Sequence, residues 1–167
     1  MGMGVFCALS AVSQDAIDRF FSKYAEDPEF TSISISSKMF SLFSEIEPDD
    51  PDSKEALEAM SDLSGIRILS KNDSTNAIDY NGAIRKIGKE YELLLSVDEK
   101  DEKVRFFVRE DGGDIAELFM VVGSRGNLFL MSILGDIDLN KISKISKSMN
   151  VGGMNYLENL DDKKEEK

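Results

Sequence analysis

Any chemistry in this chain has to come from oxygen and amine groups. It contains no histidine and one cysteine, Cys7, which excludes the Ser-His-Asp triad, the Cys-His pair and zinc sites built from His or Cys. Carboxylates, Lys, Tyr and Ser remain, and three clusters of them have a spacing that asks for an explanation. Asp49, Asp50 and Asp52 resemble a calcium loop in charge alone. They lack its glycine and its distal bidentate Glu, and Pro48 and Pro51 interrupt them, so loop solubility and capping of the next helix account for them. Asp136-Ile137-Asp138-Leu139-Asn140 has the D-x-D-x-N skeleton, but Lys141 stands where the loop needs Gly and Lys147 where it needs Glu. A chain leaving a strand and capping a helix explains those acids better, with Asp138 as the N-cap.

The third cluster is Lys141, Lys144 and Lys147. These lysines run beside an apolar helical face of Leu139, Ile142, Ile145 and Met149. They are the candidate interaction surface, able to meet an acidic partner or lipid headgroups. A solvated helix face is the favoured reading, helped because Lys147 near the helix C-terminus suits the dipole. No catalytic, cofactor-binding or metal-ligating residue is assigned. The 32 acidic residues are too many for sequence alone to single out a facing pair for glycoside hydrolysis. No Ser-x-x-Lys, Gly-x-Ser-x-Gly, P-loop or dinucleotide pattern occurs.

These groups have to be held by a folded body, and composition describes one. Hydrophobic residues at 41% with charged residues at 31% fit a globular chain rather than a disordered one, and 167 residues suffice for a single buried core. The net charge of −12 argues against nucleic acid as a partner and against general adhesion to anionic membranes.

Residues 102–149 organise the body. Val104, Phe106 and Val108 alternate with Arg105, Phe107 and Arg109, the period of a strand. Asp111-Gly112-Gly113-Asp114 predicts a tight hairpin. Ile115 to Val122 is apolar except at Glu117, and Leu128 to Leu134 except at Ser132. Such runs, parted by Gly123-Ser124-Arg125-Gly126, predict two strands covered on both faces, and hence an antiparallel meander.

Upstream, Ile17, Phe20, Phe21 and Tyr24 mark an amphipathic helix that Pro28 ends. Thr31 to Ser36 alternates as a half-exposed strand, and Met39, Phe40, Phe43 and Ile46 form a further helical face. Asp52-Ser53-Lys54-Glu55 opens a helix carrying Leu57, Met60 and Leu63, closed by Gly65. Ile66 to Leu69 is the next strand, and Asn72 to Thr75 the next cap. Ala77, Tyr80, Ile84, Ile87, Tyr91 and Leu94 step by three and four as the longest helix, softened by Gly82 and Gly88 at about 1 kcal/mol each. Residues 98–103 then form a charged loop. The expectation is one α+β domain, a mixed sheet of about five strands ending in the antiparallel meander, with helices packed on it.

The N-terminus predicts export. Residues 1–13 carry no charge, and Ala11-Val12-Ser13 before Gln14 resembles a small-x-small cleavage site, so these residues are read as the remnant of a signal peptide. The stretch is too short to span a bilayer. Residues 14–160 form the domain and 161–167 a charged, disordered tail.

Several stretches together are similar to the bacterial family known as Domain of unknown function 4252, found in exported proteins of Bacteroidota. They are the signal-like start ending at Gln14, the run Tyr91 to Val97, and Lys103-Val104-Arg105-Phe106-Phe107-Val108. Ile115-Ala116-Glu117-Leu118 and Gly135-Asp136-Ile137-Asp138-Leu139 complete the match. The resemblance supports the fold and export to the cell envelope, and brings no catalytic residue, cofactor or substrate. The expected function is therefore that of an exported, non-catalytic binding or accessory protein, periplasmic or outer-membrane-associated, with an unidentified protein partner of the envelope. The alternatives are a carboxylate-dependent hydrolase of envelope glycans or peptides and a carrier of a small hydrophobic ligand.

Overall fold

The computed structural model describes residues 27–43, 57–58, 60–72 and 80–140, together with Asp18, Tyr24, Glu45, Lys54 and Ile142. They build one six-stranded sheet. The strands are β1 (Phe30–Ser36), β2 (Leu63–Asn72), β3 (Glu92–Asp98), β4 (Glu102–Asp111), β5 (Asp114–Ser124) and β6 (Asn127–Gly135), with helices α1 (Ser37–Phe43) after β1 and α2 (Tyr80–Arg85) before β3. Their order across the sheet is β1-β2-β6-β5-β4-β3, and every neighbouring pair is antiparallel.

The expected meander is present and one strand longer than the sequence suggests, since β3 to β6 follow one another directly. Gly112 and Gly113 take φ values of 65° and 100° in the β4–β5 turn, a conformation that L side chains resist, which is why the turn falls there. Between Arg109 and Glu110 the register slips, so that Arg109 faces Glu117 while Glu110 faces Ile115. Ala116 is the extra residue of a bulge, and Ile115 comes onto the same face as Leu118.

Alternation divides the side chains between two cores. Val104, Phe106, Val108, Leu118, Met120, Met131 and Ile133 point to the first face, where Phe40 of α1, Met60, Ile137 and Ile142 cover them. Phe107, Phe119, Val121, Leu128, Leu130 and Leu69 point to the second, beneath Tyr24 and the segment that runs from Tyr80 to Tyr91. Leu118, Phe119, Met120 and Val121 are consecutive in β5 and each is at most 1% exposed. Full burial of a side chain of this size contributes about 1.5–3 kcal/mol, so the central strand anchors both layers.

Three expectations need correction. The sheet has six strands rather than five, and it is antiparallel throughout rather than mixed. The α+β description therefore holds only loosely, as a large sheet with few short helices. The longest helix does not reach Leu94: α2 ends at Arg85, a turn follows through Glu90, and Glu92–Asp98 is the edge strand β3. Leu93, Leu94 and Leu95 form a short apolar run that periodicity cannot separate from helix, and pairing with β4 decides it. Similarly, Leu63, Gly65 and Asn72 belong to β2 rather than to a helix end or a cap, and the charged loop before β4 shrinks to residues 99–101. Residues 1–13 and 161–167, and most of the first helix, lie outside the described residues.

Candidate functional site

The two polar interruptions of the apolar strands meet. Glu117 of β5 and Ser132 of β6 are both fully buried on the second face. Ser132 Oγ donates to Glu117 Oε1 at 2.7 Å, and Tyr91 Oη donates to Glu117 Oε2 at 2.5 Å. Arg109, cross-strand from Glu117, brings its Nε to 3.5 Å from Oε2. Each member has a structural cause. The bulge at Ala116 sets Glu117 against Arg109, the end of the α2 segment delivers Tyr91, and the Tyr91 ring leans on Phe119 with centroids 6.5 Å apart. Two hydroxyl donors and a guanidinium are the complement that a carboxylate needs once it leaves water. The cluster is closed, because Glu117 exposes no surface to a substrate.

At the opposite end of the same face lies an open cleft of about 280 Å³, lined by Tyr80, Asn81, Gly123, the β3–β4 turn and the β5–β6 turn. Its floor depends on glycine: a Cβ at Gly123 would lie 2.8 Å from Tyr80 Cγ, so the ring can rest there only because the side chain is missing. The Tyr80 hydroxyl is buried without a hydrogen-bond partner among the described residues, and burial pushes its phenol above the ordinary value. Next to it Arg105 holds Asp98 with two bonds, at 2.8 and 2.7 Å, and donates also to the carbonyls of Val97 and Val104. The bonded guanidinium holds the Asp98 carboxyl below its usual range. The cleft's rim mixes Glu99, Asp101 and Glu102 with Lys100, Lys103 and Arg125, so it favours neither sign of ligand.

Asp138 does what its position predicts. Its Oδ1 accepts from the Asn140 amide at 2.9 Å and its carbonyl accepts from Ile142 N at 3.0 Å, the two bonds of an N-cap. No cluster of His, Cys, Asp or Glu able to hold a metal ion occurs among the described residues. The proposed lysine surface, Lys141, Lys144 and Lys147, lies outside the described residues, as do Asp49, Asp50 and Asp52. Glu117 and Ser132 were visible in the sequence as exceptions to apolar runs. Tyr91 and Arg109 were hidden, the first inside a supposed helix and the second in an ordinary alternation.

Fold and site together define an open antiparallel sheet, covered on both faces and carrying a closed internal carboxylate cluster. The chain belongs to the family described as Domain of unknown function (DUF4252), whose model matches residues 24–145 and so spans every strand of the sheet. Neither the curated proteins nor the solved structures provide a match. No helix of the described residues is long and apolar enough to cross a membrane.

Proposed function

We propose that this chain is an exported, non-catalytic binding or accessory protein of the bacterial cell envelope, acting through its surface. The observation that carries the proposal is the filled interior: consecutive residues of β5 are buried on both faces, and the one buried carboxylate among the described residues is already engaged by Tyr91, Ser132 and Arg109. A hydrolase of glycans would need two acids facing a substrate across a cleft. Glu117 is fully buried and has no surface to offer a substrate. A carrier would need an apolar cavity between sheet and helices, where Phe40, Ile137 and Ile142 pack on one side and Ala83 and Tyr91 on the other. Export is supported by the cleavage-like Ala11-Val12-Ser13.

Cell fractionation with affinity capture tests this. The expected result is recovery in the envelope or periplasmic fraction, with a partner retained equally by the unmodified chain and by Glu117→Gln. Recovery in the cytoplasm overturns the export half. Hydrolysis of envelope glycan or peptide that Glu117→Gln abolishes overturns the non-catalytic half.

A further inference from the structure

Strand edges offer unpaired backbone groups, and proteins usually blunt them with charge, proline or a bulge. The two edges of this sheet differ in that respect. β3 begins with Glu92, ends with Asp98 and carries a register break between Leu93 and Leu95. β1 has none of these devices: Phe30–Ser36 contains no charge and no proline, and pairs with β2 in unbroken register from one end to the other. No strand among the described residues lies beyond it. This neutral edge stands out in a chain whose net charge is −12.

Apolar exposure gathers at the same place. Of the four large hydrophobic side chains that are exposed among the described residues, Ile33, Met39 and Leu42 sit on β1 and on the helix that follows it, and only Leu93 lies at the other edge. Ile33 is 45% exposed, on the first face with its strand neighbour Ile35.

About Ile33, the middle of the strand, the alternation of β-branched residues and serine from Thr31 to Ile35 is symmetric in type, while Phe30 and Ser36 differ at the two ends. We propose that β1 is a homodimer edge, pairing antiparallel with β1 of a second copy about a two-fold axis at Ile33. In that register Ile33 meets its own counterpart, Thr31 meets Ile35 of the second copy, Ser32 meets Ser34, and Phe30 meets Ser36. On one face the pairs are all β-branched, a favourable cross-strand combination, and on the other the two serine pairs lie between two Phe30–Ser36 pairs. An isologous contact requires the strand to match itself in this way. Beyond the strand, the same register brings Glu29, which also pairs with Lys71 of its own chain, to the end where the other copy carries Lys38, a second cation for the same carboxylate. Met39 and Leu42 extend the apolar surface on the side of Ile33. The result is one sheet continued through the dimer, with β3 at each outer edge. This assembly is independent of where the protein is exported and of what it binds there.

Sedimentation velocity on the full chain, with cysteine crosslinking, tests the edge. The unmodified chain is expected to be a dimer that dissociates on dilution. Ile33→Lys places two ammonium groups against each other on the axis, and is expected to weaken dimerisation at least tenfold while circular dichroism stays unchanged. In a Cys7→Ser background, Ile33→Cys is expected to form a disulfide-linked dimer under mild oxidation and Leu93→Cys is not. The crosslinking pair decides the matter if Ile33→Lys fails to fold. A chain that stays monomeric at every concentration overturns the proposal. Slow exchange in that monomer of the β1 amides that point away from β2 would mean that a segment of the chain itself covers the edge, and rapid exchange would leave the edge to a strand from another protein. A dimer insensitive to Ile33→Lys that crosslinks through Leu93→Cys overturns it as well.

Discussion

Arg105 and Arg109 project from the same face of β4, and each has a carboxylate beside it, yet the two pairs are built for different surroundings. Arg105 meets Asp98 with two short bonds at the open end of the face, where the Asp98 side chain is 51% exposed. Arg109 meets Glu117 at the closed end, at a longer 3.5 Å, and Glu117 is fully buried. The better hydrogen-bond geometry therefore belongs to the pair that matters less. Water screens Asp98 and would solvate it if Arg105 were lost, so the bond replaces one good environment with another. Glu117 has no such alternative. Its stability depends on Tyr91, Ser132 and Arg109 together, and removing any member takes from a buried charge part of what compensates it.

The largest expected effect follows from that dependence. Glu117→Ala should cost about 3–5 kcal/mol in chemical denaturation, because it removes the carboxylate that accepts from two buried hydroxyls and balances the charge of a largely buried guanidinium. Glu117→Gln should cost less, since its amide oxygen still accepts from one hydroxyl. If Glu117→Ala came within about 1 kcal/mol of the unmodified chain, the distinction between a closed and an open pair would fail. At the open end the largest effect should come from packing rather than charge. Gly123→Ala would push a methyl into the Tyr80 ring, at a cost of about 1–3 kcal/mol. Combining it with Tyr80→Ala should recover part of that loss, because the two substitutions share one contact. Simple additivity in the double variant would place the strain elsewhere.

Both ends were partly legible in the sequence, to different depths. The hairpin at Gly112-Gly113 and the alternation from Val104 to Arg109 are local signals, and the structure keeps them. Glu117 and Ser132 stood out as polar residues in apolar strands, but a strand pattern gives the face and not the partner. Their bond is diagonal across β5 and β6, with Phe119 facing Ser132 directly. The sequence hides β3 because Tyr91 and Leu94 continue the three-and-four spacing that starts at Ala77. The helix signal was real for α2 and then ran past the turn that follows Arg85, where long-range pairing with β4 overrides it. The antiparallel sheet was missed for a related reason: a helix between two strands is compatible with either direction, and only the pairing fixes it. The seat of Tyr80 on Gly123 joins residues far apart in sequence, which no window can report.

Tyr80 and Asp98 sharpen the comparison through pH, with opposite signs and smaller sizes. Burial raises the Tyr80 phenol above its ordinary 10.0, so the unfolded chain ionises first as pH rises. The stability tied to that hydroxyl is present below the ordinary value and is lost as pH climbs through the raised one. Tyr80→Phe removes a hydroxyl that has no partner among the described residues, and should raise stability by about 1 kcal/mol at neutral pH. Its advantage should widen in alkali, and an advantage that shrinks there would mean that the charge of Arg105 outweighs burial and the folded chain favours the phenolate.

Asp98 should give the smallest effect and the cleanest sign. The bond from Arg105 lowers its carboxyl, so its contribution is present above the ordinary carboxylate value and disappears as pH falls through the lowered one. Asp98→Asn should therefore sit slightly below the unmodified chain at neutral pH and merge with it in acid. Added salt should narrow the neutral gap, because an exposed pair is screened. The same salt should leave the loss caused by Glu117→Ala nearly unchanged, since no ions reach the closed end. If salt reduced both losses alike, the two arginines would be in similar surroundings after all, and burial would not be what separates them.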